Sequence, residues 1–90
     1  MPLALRQSTK FKRDIKRLQR QGVDLLRLQN VIETLVAQQP LDERHRDHFL
    51  IGAWKGYREC HIQPDWLLIY RVEAHELQLI RTGSHSDLFG

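Results

Sequence analysis

Ninety residues give room for one domain with a single modest core, here spanning residues 1–90, and 41% hydrophobic against 28% charged residues is the balance of a folded chain. The net charge of +3 suits an anionic partner, while a single cysteine, Cys60, excludes an internal disulfide or a Cys/His finger and fits a reducing cytoplasm. No stretch is apolar for long enough to cross a bilayer and Met1-Pro2-Leu3-Ala4-Leu5 is too short for a signal peptide, so neither a membrane location nor export is expected.

A short strand is expected near Leu3 to Arg6. After it, Phe11, Ile15 and Leu18 recur at i, i+4 and i+7, which predicts an amphipathic helix capped by Ser8 or Thr9 and ended by Gly22. Its outer face is basic: Lys10, Lys12, Arg13, Lys16, Arg17 and Arg20 stand against one acid, Asp14. Such a face is either plainly solvated or a surface for RNA or a partner, with Lys10, Arg13, Arg17 and Arg20 as the candidate contacts. A second helix should start with Asp24 as N-cap and run to about Gln39, because Leu25, Leu28, Ile32, Leu35 and Val36 form one stripe and Pro40 stops it. The two helices form an αα-hairpin whose apolar edges need a sheet to cover them.

The second half supplies that sheet. Leu41 to Asp47 reads as a charged loop, followed by Asp47-His48-Phe49 and a glycine-broken approach through Gly52 and Gly56. Tyr57 to Ile62 alternates, so Cys60 and Ile62 should meet the helices while Glu59 and His61 face outward together. Pro64-Asp65 suits a tight turn, Trp66 to Val72 is apolar enough for a central strand, and Glu73 to Glu76 turns the chain into Leu77 to Thr82. The expected fold class is α+β: a small antiparallel sheet in the order β-α-α-β-β-β, with the αα-hairpin on one face. Gly83 to Gly90 then leaves the sheet as a loosely packed tail carrying His85.

Three of the five histidines, His48, His61 and His85, fall near this sheet in company with Asp65 and Arg81. Imidazole, carboxylate and guanidinium together suit acid–base chemistry on a phosphate. RNA is cut without metal when its own 2′-OH attacks the adjacent phosphate, which needs a base, an acid for the departing 5′-oxygen, and cationic donors for the transition state. Histidine suits both proton roles because its reference pKa of about 6.5 lies near working pH. His85, on the tail, is the candidate acid; His48 or His61, tuned by Asp65, is base or phosphate donor; Arg81 stabilises charge. Trp66 or Phe89 could stack on an unpaired base. Taken singly, each residue also has an ordinary structural reading: turn former, surface position or core aromatic. A metal site from His61, Asp65, His85 and Asp87 lacks recognisable ligand spacing, and no cofactor or metal is expected.

Gly52-Ala53-Trp54-Lys55-Gly56-Tyr57-Arg58-Glu59-Cys60-His61-Ile62-Gln63-Pro64-Asp65-Trp66-Leu67-Leu68-Ile69-Tyr70, followed by Arg81-Thr82-Gly83-Ser84-His85-Ser86-Asp87-Leu88-Phe89, closely resembles the YafQ branch of the RelE/ParE superfamily of type II toxins. The resemblance is dense from His48 onward and one of element order before it. It implies a RelE-like fold and a ribosome-dependent mRNA interferase, held inactive by a DinJ-like antitoxin and meeting operator DNA only through that antitoxin. The matching positions His48, His61, Asp65 and His85 are those implicated in cleavage, with Glu59, Trp66, Arg81 and Phe89 supporting or contacting RNA. Phe49 departs from the proline common after the first histidine, and Glu59 replaces a shorter aspartate. Two other functions fit the same fold: a ParE-like toxin acting on a gyrase-type protein, which needs no acid–base site, and an inactive toxin kept as an antitoxin-binding co-repressor partner.

Overall fold

A computed structural model describes all residues, Met1–Gly90. The first strand, β1 (Ala4–Gln7), leads into α1 (Thr9–Arg20) and α2 (Leu26–Val36); β2 (His48–Phe49), β3 (Arg58–Gln63), β4 (Trp66–Glu73), β5 (Glu76–Gly83) and α3 (His85–Phe89) follow. Of the two residues that could cap α1, Ser8 does so: its Oγ accepts from the Phe11 N–H at 2.9 Å and donates to the Ile80 carbonyl at 2.6 Å, tying the helix start to β5. At the other end Gly22, at φ 74°, lets its own N–H reach the Gln19 carbonyl and that of Val23 reach the Leu18 carbonyl, which closes the helix.

The second helix is shorter than its apolar stripe. Asp24 serves its start by accepting from the Leu26 N–H, and Val31 joins Leu28 and Leu35 in the core. It stops at Val36 because Gln38, at φ 58°, allows Gln39 N–H to return to the Thr34 carbonyl, so the stop precedes Pro40.

The strands form one five-stranded sheet in the order β1-β5-β4-β3-β2. All neighbours are antiparallel except β1 and β5, which are parallel. The expected three-strand meander is therefore the centre of a wider sheet, since β1 pairs with β5 across most of the sequence and His48–Phe49 adds an edge strand to β3. One face packs on α1 and α2 through Phe11, Leu18, Leu28, Val31 and Leu35 against Cys60, Ile62, Trp66, Leu68, Tyr70, Leu77 and Leu79. On the other face Leu67 and Ile69 are covered by Leu88 of α3 and by Leu50, Trp54 and Tyr57. Coverage of both faces explains the unbroken apolar run in β4. No helix is long and apolar enough to cross a membrane.

The segment after Gly83 is not a loose tail. Ser84 Oγ accepts from the Asp87 N–H while Asp87 Oδ2 accepts from the Ser84 N–H, a capping box that starts α3, and Leu88 anchors the turn to the sheet.

Candidate active site

Asp65 lies in the β3–β4 turn, and its Oδ1 accepts two hydrogen bonds from the first residue of α3: His85 Nδ1 at 2.7 Å and the His85 backbone N–H at 3.1 Å. These bonds, the imidazole's first and the backbone's second, hold the Asp65 carboxyl below the usual carboxylate range. With Nδ1–H given to Asp65, His85 presents Nε2 outward, and its side chain is half exposed. The His61 ring stands edge-on to the His85 ring, centroids 5.9 Å apart. Three residues from the end of β3, the β3–β4 turn and α3 thus meet at one corner.

His48 comes to the same sheet face by strand pairing. It sits opposite Glu59 in the β2–β3 register, with Nε2 at 3.1 Å from Glu59 Oε2 and Nδ1 against the Arg46 carbonyl. Both ring nitrogens are therefore engaged by oxygens, which leaves neither free for proton abstraction. Phe49 is exposed with the Arg58 guanidinium 4.2 Å from its ring centroid, so pairing of β2 with β3, not a proline, aims His48. Glu59 shares the sheet face of His61, as alternation requires, yet only 7% of it is exposed. It is a buried carboxylate held by His48, not an outward-facing one.

Trp66 takes a different place from a base platform. It is buried in the helix-side core, its Nε1–H donating to Thr82 Oγ1 at 2.9 Å, and Thr82 Oγ1 in turn donating to the Leu67 carbonyl at 2.8 Å. Its support is mechanical: it locks β4 to β5 just before His85. Phe89 stays half exposed, edge-on to Trp54 at 6.1 Å.

Arg81 and Arg17 converge on Asp14, which the sequence presents as a lone acid in a basic helix. Only 2% of Asp14 is exposed. It accepts from Arg81 Nε at 2.7 Å and Nη2 at 3.1 Å, from Arg17 Nη1 at 2.7 Å, and from the Thr82 N–H at 3.1 Å. Burial pushes the Asp14 carboxyl up, but the hydrogen bonds from Arg81, Arg17 and Thr82 and the Arg81 charge outweigh it, so its pKa is lowered. Arg81 Nη1 is left outside this network. Arg17 also donates to the Thr82 carbonyl at 3.0 Å and lies 3.5 Å from Asp87 Oδ2. It is an internal strut from α1 to β5 and α3, not part of the outer basic face, which retains exposed Lys10, Arg13 and Arg20.

Two further features escape a reading by motif. His45, in a 3-10 turn at Glu43–His45, hydrogen-bonds through Nδ1 to the His61 carbonyl at 2.6 Å and so steadies β3 beside the site. Asp47, Arg58 and the Tyr70 hydroxyl form a cluster under β2, with Arg58 Nη2 at 3.1 Å from Asp47 Oδ2. Burial raises the Cys60 thiol pKa, and the thiol is wholly enclosed, which excludes it as a nucleophile.

The family model described as the bacterial toxin of type II toxin–antitoxin systems, YafQ, matches residues 3–90. The chain belongs to the YafQ toxin family. The mRNA interferase toxin YafQ of Escherichia coli is 39% identical over 84 residues, covering 92% of this chain and 91% of its own. The E. coli DinJ–YafQ toxin–antitoxin complex contains a chain matched at a TM-score of 0.91 and 36% identity, with complete coverage of both. A metal-bound toxin from Helicobacter pylori matches at a TM-score of 0.90 and 44% identity, covering 97% of this chain and 99% of that one. In the present chain no three His, Cys, Asp or Glu side chains lie close enough together to hold an ion.

Proposed function

We propose that this YafQ-family toxin is an endoribonuclease that cuts mRNA on the ribosome by attack of the substrate's own 2′-OH. The observation that carries the reading is the 2.7 Å bond between His85 Nδ1 and Asp65, with His61 edge-on to the same ring. Asp65 fixes the His85 ring with Nδ1 turned inward, leaving Nε2–H outward to protonate the departing 5′-oxygen. His61, whose ring nitrogens no protein group engages, takes the proton from the 2′-OH. Arg81 offers positive charge to the phosphate as negative charge accumulates, while His48, bridged between Glu59 and the Arg46 carbonyl, holds the edge of the site in place. Phe89 stacks on an unpaired base. Lys10, Arg13 and Arg20 contact ribosomal RNA.

A DinJ-like antitoxin is the partner that silences the toxin, as the complex of its E. coli relative indicates, and operator DNA is reached only through that antitoxin. The cytoplasm is where ribosome and message are met. A ParE-like action on a gyrase-type protein would leave the His85–Asp65 pair without use. The test is a programmed ribosome whose message carries one 2′-deoxy sugar at the cut. Cleavage of the all-ribose message should leave a 2′,3′-cyclic phosphate and a 5′-OH, and the deoxy message should survive. Equal cutting of both would refute internal attack.

A further inference from the structure

Beside the catalytic corner, α2, the 3-10 turn and the end of β3 enclose a cleft of about 690 Å³, and His61 forms part of its wall. That is room on the order of two nucleotides. Arg27, Arg44 and Arg46 line it, and Asp42 is the one acid among its lining residues. Asp42 is already occupied in capping the turn, accepting from the Arg44 N–H at 2.9 Å, and its carboxylate only reaches Arg44 Nε at 4.0 Å. Neither Arg27 nor Arg46 has a carboxylate partner. By contrast Arg17, Arg58, Arg71 and Arg81 are each paired with a carboxylate elsewhere in the fold.

The backbone connects this wall to the reacting residues. Arg46 adopts φ 47°, an uncommon conformation for a side chain of its size, and in doing so turns its carbonyl onto His48 Nδ1. His45, on the preceding position, holds the His61 carbonyl. The unpaired guanidinium groups of Arg27 and Arg46, with Arg44 beside them, on a concave surface that borders His61 of the site match a chain of phosphates leading to and from the reacting one.

We propose that the cleft holds the sugar–phosphate backbone of the message immediately flanking the cut, with Arg27, Arg44 and Arg46 on its phosphates. The inference rests on the endoribonuclease reading and deepens it. The probe is a short single-stranded RNA carrying a 2′-O-methyl group at the cut site, so that it binds without being cleaved. Its affinity for free toxin is measured over a range of salt for wild type, for the double variant Arg27→Gln/Arg44→Gln, and for Arg27→Lys/Arg44→Lys. Removing two guanidinium–phosphate pairs should lower the slope of log affinity against log salt by about 1.4, at about 0.7 per phosphate on a single strand, and affinity at low salt should fall at least about tenfold. The lysine variant should keep the wild-type slope, and in programmed ribosomes the glutamine variant should lose on half-saturating concentration more than on the rate at saturation.

An unchanged affinity and slope in a glutamine variant that melts like wild type would overturn the proposal. So would a loss confined to antitoxin affinity, which would assign the cleft to an acidic segment of that protein. Failure of wild-type toxin to cut any message would instead strike the endoribonuclease reading, and the binding slopes are read independently of that outcome.

Discussion

Replacing Asp14 with alanine removes the acceptor on which four hydrogen bonds converge, and the size of the loss follows from what each donor can do afterwards. The Thr82 N–H is fully buried, so without a partner it loses about 1–3 kcal/mol. The Arg81 and Arg17 side chains are 19% and 26% exposed, so water can meet part of each guanidinium, and about 1 kcal/mol apiece is a fair allowance. The total is about 3–5 kcal/mol, the range seen when one partner of a buried ion pair is removed, and a large part of a typical total stability of about 5–15 kcal/mol. Asparagine should rescue little, because its NH₂ would confront one of the arginines or the Thr82 N–H. Urea unfolding of wild type, Asp14→Ala and Asp14→Asn at neutral pH measures the gap. Because the folded-state pKa of Asp14 is lowered, its stabilisation is fully present above the unfolded value of about 3.9 and is lost as pH falls through the folded value. The gap should therefore be flat from neutral pH to about 5 and close below about 4. A loss under about 1 kcal/mol at neutral pH, or a gap that widens with acid, would refute this account of the network.

Gly83→Ala should cost about 1–3 kcal/mol and reduce cleavage further by displacing α3, because an added Cβ would lie 2.7 Å from Arg17 Nη2, held by the Thr82 carbonyl, and 3.0 Å from Asp87 Cβ at φ +155°; chemical unfolding and message cleavage read the two losses separately. Neutralising Lys10, Arg13 and Arg20 together should lower the salt slope of ribosome binding by about 2, at about 0.7 per phosphate, whereas Arg17→Gln should act on folding stability; a triple variant with the wild-type slope would leave that face merely solvated.

Much of this was legible in the residue order. The period of Phe11, Ile15 and Leu18 gave α1, and alternation through Cys60 and Ile62 put the helix-facing side of β3 correctly in the core. What was not legible depended on partners distant in sequence. Asp14 looked like a solvated acid because the groups it binds, Arg81 and Thr82, arrive 67 and 68 residues later. Arg17 looked like one of six equivalent cations for the same reason. Trp66 carries no mark that tells a core indole from an exposed one, and its Thr82 partner lies 16 residues away. The turn of α3 did have a local sign: Ser84 followed at the third place by Asp87 is a capping-box spacing, obscured by the shortness of the segment it starts. At the site, His61, Asp65 and His85 could be nominated from residue type, but the shared Asp65 oxygen that orients His85 exists only once β4 and β5 pair.

The most direct test of the chemistry assigned to His85 is a message whose scissile 5′-oxygen is replaced by sulfur, compared with the ordinary message in single-turnover cleavage on programmed ribosomes. A thiolate departs without being protonated, so the need for a general acid vanishes while every other demand of the reaction remains. On the ordinary message His85→Ala should be slower than wild type by about 100-fold or more, the usual worth of a positioned acid. On the sulfur-substituted message the deficit should shrink to about tenfold or less, while His61→Ala should stay slow on both. An equal deficit of His85→Ala on the two messages would contradict the assignment and remove His85 from the role of acid.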